Sequence, residues 1–251
     1  NLVFRPDGSE VWAACEKSGS VVVVDAAKRV KAAEIQVGGQ ATDLVFSPDG
    51  AKAFVTSRLE DAVVVIDVAS RKVERKLPVA DEPHGIALDP SGRTAFVMGT
   101  ACDAVSVLDL ATGKETKRLP ASRNPWSAAL SPDGRRLLVT NALSRFVKFR
   151  TPPMSEVTVF DVASQRVEDR WLVPESNLLL GVAWHPDGKR LFSSGAADNS
   201  IREVEWRGSK LQPGRTFTLA PPQKGGRMDT MENPGFVGGE SVACGRGGNQ
   251  N

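Results

Sequence analysis

Short apolar runs alternate with polar, turn-forming clusters along the chain, and the alternation returns on a fixed period. Phe4-Arg-Pro-Asp-Gly8 recurs as Phe46-Ser-Pro-Asp-Gly50, Leu88-Asp-Pro-Ser-Gly92, Leu130-Ser-Pro-Asp-Gly134 and Trp184-His-Pro-Asp-Gly188, with the glycines 42, 42, 42 and 54 residues apart. A second marker follows the glycine by 17 residues, as Val22-Val-Val-Asp25, Val64-Val-Ile-Asp67 and Ser106-Val-Leu-Asp109. In the fourth copy it is Thr158-Val-Phe-Asp161, displaced by ten inserted residues, and in the fifth it decays to Glu203-Val-Glu205. Self-similarity at such a period marks a repeat architecture.

Each copy reads as four short strands. The first is apolar, as in Ile86-Ala-Leu88, and ends at the Pro-Asp-Gly turn, where Pro presets φ, Asp caps through its side chain and Gly takes the positive-φ position. The second, Ala53-Phe-Val-Thr56 or Thr94-Ala-Phe-Val97, leads into a polar loop. The third is the Val-Val-Ile-Asp run, whose Asp opens a turn such as Asp67-Val-Ala-Ser-Arg-Lys72. The fourth, Val73-Glu-Arg-Lys-Leu77, mixes charges with alternate apolar positions, as a half-wet outermost strand does. One such sheet cannot bury both faces, and radial stacking of sheets solves that problem. No segment sustains a 3.6-residue period, so a helical solenoid is excluded.

The predicted fold is therefore all-β, a β-propeller of four-stranded antiparallel blades with about five blades recognisable, and the ring can be incomplete. The blades fall at approximately 1–38, 39–80, 81–122, 123–176 and 177–220, with innermost strands near Leu44-Val-Phe46, Ile86-Ala-Leu88, Ala128-Ala-Leu130 and Val182-Ala-Trp184. Two regions break the pattern. Ser144 to Ser155 is a basic, proline-containing excursion between the second and third strands of the fourth blade. Residues 221–251, with eight Gly, read as a flexible tail, a linker or a truncated blade.

Composition narrows the function classes. Lys+Arg 32 against Asp+Glu 30 gives a net charge of +2, which argues against nucleic acid as a partner, because phosphate binding needs a one-signed surface. No apolar run approaches the ~18 residues of a membrane-spanning helix. The chain opens at Asn1-Leu-Val-Phe4 with neither a basic segment nor an apolar stretch of the signal-peptide kind, so it reads as starting inside a structural unit. Cys15, Cys102 and Cys244 sit at unrelated spacings and are expected as free, mostly buried thiols.

The repeat resembles the YVTN family of bacterial β-propellers, in which a Pro-Asp-Gly turn, a Val-Thr-Asn strand end and a Val-Ser-Val-Ile-Asp strand recur. Here the middle signature stands as Val55-Thr-Ser57, Val97-Met-Gly99 and Val139-Thr-Asn141, with Phe54, Phe96 and Leu138 in place of the usual Tyr. The resemblance covers roughly residues 1 to 220. It implies a periplasmic or extracellular protein of the bacterial cell envelope and is unspecific for activity. Related propellers include surface-layer-associated proteins, lactonase-like enzymes, haem-binding propellers, and repeats fused to cytochrome or peroxidase domains. The fourth-blade text, Ser155 to Asp161 and Val173 to Trp184, looks like the propeller half of proteins carrying cytochrome-type domains.

The search for chemistry returns little. No Cys-x-x-Cys-His run exists for covalent haem, no Gly-rich loop has the frame of a phosphate site, and no cofactor or metal is expected. Asp25, Asp67, Asp109 and Asp161 read as turn caps rather than calcium ligands. His185 takes the turn position of Arg5, Ser47, Asp89 and Ser131 and reads as structural. His84 precedes an innermost strand, in the slot held elsewhere by Thr42, Trp126 and Leu180. That slot and its neighbours, among them Gln40, vary while the scaffold repeats, which is what a binding rim at the channel mouth shows. The candidate ligand-binding residues are Asp43, Glu82, His84, Asn124, Trp126, Ser127 and Asn177.

A non-catalytic scaffold offering this rim to a protein or small ligand is the favoured reading. One alternative is a propeller module of a larger cytochrome- or peroxidase-type redox protein, with that domain fused or associated. Another is a lactonase-like hydrolase using Asp43 and Glu82 as ligands or base and His84 as acid. Arg145, Lys148 and Arg150, interleaved with Phe146 and Phe149, read as a solvated loop.

Overall fold

The computed structural model describes residues 1–143, 154–174, 179–195 and 199–219. Five four-stranded antiparallel sheets follow one another, each laid down in chain order. The first holds β1 (Leu2–Phe4), β2 (Glu10–Cys15), β3 (Ser20–Asp25) and β4 (Val30–Gln36), and the second β5 (Ala41–Phe46), β6 (Lys52–Ser57), β7 (Ala62–Asp67) and β8 (Lys72–Pro78). The third holds β9 (Pro83–Leu88), β10 (Thr94–Gly99), β11 (Ala104–Asp109) and β12 (Lys114–Pro120). The fourth holds β13 (Arg123–Leu130), β14 (Arg136–Leu143), β15 (Met154–Asp161) and β16 (Arg166–Pro174), and the fifth β17 (Leu179–Trp184), β18 (Arg190–Gly195), β19 (Ser200–Arg207) and β20 (Lys210–Thr218).

No strand pairing joins one sheet to the next. The blades are held instead by side chains packed between them. β5 lies beside β9, β9 beside β13 and β13 beside β17, so the first strand of each blade is the innermost and the sheets fan about a common axis. One apolar cluster fills each gap. Trp12, Val21 and Val23 of the first blade pack on Leu44, Phe46 and Val55 of the second. Phe54 and Val65 pack on Ile86, Leu88 and Val97, and Phe96 and Val107 on Leu137, Val139 and Phe160. Leu138 and Val159 close the series on Leu191, Val204 and Trp206. The second-strand residue (Trp12, Phe54, Phe96, Leu138) thus always presses on the following blade, as strand alternation requires.

The ends of the series differ from its middle. Phe46 is 7% exposed under Trp12, whereas Phe4, at the same place in the first blade, is 59% exposed. Phe192, at the same second-strand position of the fifth blade, pairs with Ala183 and Glu203 on the face away from the fourth-blade cluster.

The turns form as their residues dictate. Gly8, Gly50, Gly92, Gly134 and Gly188 have φ between 67 and 72°, the left-handed region glycine enters at no steric cost. The turns also stack on one another: a Cβ on Gly50 would lie 3.5 Å from the ring of Pro6, one on Gly92 2.7 Å from Pro48, and one on Gly134 2.3 Å from Pro90. The Asp25, Asp67, Asp109 and Asp161 carboxylates accept the amides of Lys28, Ser70, Thr112 and Ser164 at 2.7–2.8 Å, which makes them turn caps.

Some expectations need correction. β15 begins at Met154, and Ser155 is buried with its hydroxyl donating to the Ala142 carbonyl at 3.0 Å, so the fourth-blade excursion ends before these two residues. Cys15 and Cys102 are free but only half-buried. Residues 144–153, with the basic and aromatic side chains there, the stretch 221–251, and Cys244 lie outside the described residues. No helix among the described residues is long and apolar enough to cross a membrane.

Candidate functional site

The beginnings of the inner strands converge at one mouth of the axis, and those of the second to fifth blades carry the same irregularity. Between Ala41 and Leu44, Pro83 and Ile86, Pro125 and Ser127, and Leu179 and Gly181, the inner strand holds one residue more than its partner. Such a bulge bends the strand and re-aims a side chain. The bulges fall on Thr42-Asp43, His84-Gly85, Trp126 and Leu180. His84 and its equivalents are therefore inside the strands, not in loops ahead of them: a single extra residue leaves the apolar alternation downstream unchanged and cannot be seen in it.

The bulged residues enclose a cavity of about 450 Å³ to which all five blades contribute. Asn1 comes from the first, Thr42 and Asp43 from the second, His84 from the third, Trp126 and Ser127 from the fourth, and Leu180, Gly181, Val182 and Ser194 from the fifth. Side chains bonded to the neighbouring blade's backbone fix this wall. Asp43 Oδ2 accepts the Ile86 amide at 3.1 Å, and Oδ1 accepts the Leu44 amide at 2.8 Å and the Asn1 side-chain amide. The Thr42 and Thr56 hydroxyls donate to the His84 carbonyl at 3.1 and 2.7 Å. His84 lies against Trp126, ring centroids 3.8 Å apart and planes 32° apart, with Nδ1 3.2 Å from the Trp126 carbonyl oxygen. Gly85 permits this approach, for a Cβ there would stand 2.6 Å from that same oxygen.

The two titratable groups of the wall are displaced in opposite senses, and both become neutral more readily than in water. Burial, assisted by the nearby Arg58 charge, brings the His84 pKa down to about 4, against the opposing bond to Trp126. Burial raises Asp43, against the amides that favour its carboxylate.

Residues 174–202 match the family model described as WD domain, G-beta repeat. The chain is similar to a solved structure of Kuenenia stuttgartiensis hydrazine synthase, with 26% identity and a TM-score of 0.76 over 84% of this chain and 64% of that one. It is also similar to a chain of the mitotic checkpoint complex, with 16% identity and a TM-score of 0.71 over 87% of this chain and 66% of that one. A third likeness is to the Myceliophteria thermophila Cps50 (Swd1) β-propeller domain, with 14% identity and a TM-score of 0.69 over 86% of this chain and 70% of that one. None of the curated proteins matches.

The chain is a β-propeller repeat protein. Of the residues singled out in its sequence, the propeller brings Asp43, His84, Trp126 and Ser127 together around the cavity. Glu82 and Asn124 do not line it. Both sit at φ 52°, Glu82 just ahead of β9 and Asn124 as the second residue of β13, and their amides bond the Asp61 and Asp103 carboxylates at 2.8 Å. The Glu82 carboxylate receives Arg58 at 2.6 Å, and Asn124 Nδ2 donates to the Thr100 carbonyl at 3.0 Å. The proposed acid–base set of Asp43, Glu82 and His84 thus has its second carboxylate, Glu82, on an arginine. Asn177 lies outside the described residues. His185 is turn-bound, with Nδ1 2.9 Å from Asp187 Oδ2. The sequence reading missed Leu180, Val182 and Ser194 as cavity residues, although Leu180 was aligned with His84. Gln40 lies aside from the cavity, its Oε1 buried without a partner among the described residues.

Proposed function

We propose that this propeller is a non-catalytic scaffold whose channel mouth binds a protein or a small ligand, within the bacterial cell envelope. One observation carries the reading. At a single equivalent bulge, Thr42, His84, Trp126 and Leu180 turn four different chemistries towards one cavity, while the strands and turns around them repeat. Scaffold positions answer to the fold, and positions freed from it answer to a ligand. The envelope setting rests on the likeness to YVTN repeats. The test is a fragment titration of the ¹⁵N-labelled chain: concerted shifts at Thr42, His84, Trp126 and Ser127 support the reading, and their silence while signals elsewhere move overturns it. Recovery of the native protein in a cytosolic fraction would remove the envelope setting.

A second reading is favoured by the 26% identity to hydrazine synthase over 84% of this chain. Here the propeller is one module of a larger redox protein that carries a cytochrome- or peroxidase-type domain. A reading frame containing Cys-x-x-Cys-His motifs, with haem absorption from the native protein, is expected. A frame with neither, expressed as a colourless protein, ends it.

A further inference from the structure

The cavity wall fixes the chemistry of what it can hold. A carbonyl oxygen only accepts, so the bond between His84 and the Trp126 carbonyl places the imidazole proton on Nδ1. The ring is half-buried and, with its pKa brought down to about 4, neutral at physiological pH, which leaves Nε2 with a bare lone pair. Among the described residues nothing donates to that nitrogen. The indole stacked on the ring, itself part of the wall, prevents it from turning away. The cavity thus presents one fixed, unsatisfied acceptor.

Charge and shape narrow the partner. A cation beside His84 would meet the field of Arg58, and Asp43, already bonded by two amides and the Asn1 side chain, offers it little. An anion would sit beside the buried Asp43 carboxyl, and Arg58, the guanidinium whose field reaches the ring, is committed to Glu82. Trp126, Leu180 and Val182 supply an apolar wall, and the Ser127 hydroxyl has no hydrogen-bond partner among the described residues.

We propose that the cavity takes a small neutral molecule that directs an N–H or O–H donor at His84 Nε2, a primary amide or alcohol on a flat apolar body. This rests on the channel mouth being a binding site, as proposed above.

The test uses the intact chain and four matched probes: benzamide, N,N-dimethylbenzamide, benzoate and benzylammonium. The ¹⁵N resonance of His84 Nε2 is followed by long-range proton–nitrogen correlation. Benzamide is expected to move that resonance and to bind about tenfold more tightly than the other three, the net worth of one hydrogen bond. His84→Phe keeps a ring against Trp126 and should erase the difference between the two amides. The comparison of the amides on the unaltered chain needs no variant to fold. Equal or tighter binding of N,N-dimethylbenzamide or of either charged probe, or a still Nε2 resonance, overturns the donor assignment and leaves the cavity as a binding site. If no probe perturbs any cavity residue, the assignment and the binding-site reading fall together.

Discussion

Trp12 of the first blade meets Phe46 of the second edge to face, with ring centroids 5.3 Å apart and planes at 74°. The two rings hold the first gap of the fan, and Trp12 is wholly buried there. Trp12→Ala is expected to lower the unfolding free energy by about 3–5 kcal/mol, since the cavity left between two sheets collapses only in part. Urea unfolding measures it, and a loss below about 1 kcal/mol would mean that the gap repacks.

The place of Phe46 is held in the first blade by Phe4, 59% exposed, with Leu2 beside it at 61%. Nothing among the described residues covers this apolar radial face, and such a face promotes association. The chain is expected to self-associate in sedimentation velocity, and Phe4→Ser to reduce this while changing stability by less than about 0.5 kcal/mol. A monodisperse monomer of the unaltered chain would contradict the first expectation.

Gly85→Ala should force β9 away from β13. The added methyl would lie 2.6 Å from the Trp126 carbonyl oxygen and 3.0 Å from the Ser127 Cα, and backbone cannot swing aside as a side chain can. The expected cost is about 1–3 kcal/mol, with loss of the His84–Trp126 stacking visible in the His84 ring resonances. A variant of full stability with unchanged ring shifts would show that the inner strands have slack.

Stability should fall on mild acidification because of His84. Its pKa in the fold, about 4, is below the ordinary 6.5, so the unfolded chain takes the proton first. The contribution is complete above 6.5 and is lost as pH falls towards 4, roughly 2 kcal/mol allowing for the ring edge that water reaches. Asp43 works in the opposite sense: raised by burial, its contribution is present below its ordinary 3.8 and lost as pH rises through its higher folded value. Urea midpoints between about pH 4 and 7 should slope less for His84→Phe than for the unaltered chain. Identical slopes would place the responsible group elsewhere.

The blades were legible because each element has a local cause. A short apolar run bounded by turn residues marks strands such as Ala62–Asp67, and the Pro-Asp-Gly turns need a residue that tolerates positive φ. The place of the cavity was marked too, since Thr42, His84, Trp126 and Leu180, which line it, break an otherwise repeating text. What stayed hidden depends on contacts between blades. Glu82 and Asn124 stand beside these positions in the sequence, but their left-handed backbone and their bonds to Arg58 and Thr100 hold them out of the cavity lining. No alternation of apolar and polar positions reports a bulge, and none reports which ring His84 lies upon.

The stacked turns have an evolutionary consequence. Pro6 rests on Gly50, Pro48 on Gly92 and Pro90 on Gly134, a proline ring on a glycine at each of these three steps. Each step is therefore indifferent to how many others exist. Duplicating or excising one unit in the gene restores an equivalent junction at the scar, so the circumference of the wheel can drift while its spokes stay unchanged. Only the hub, where no two units agree, must then be refitted to its occupant.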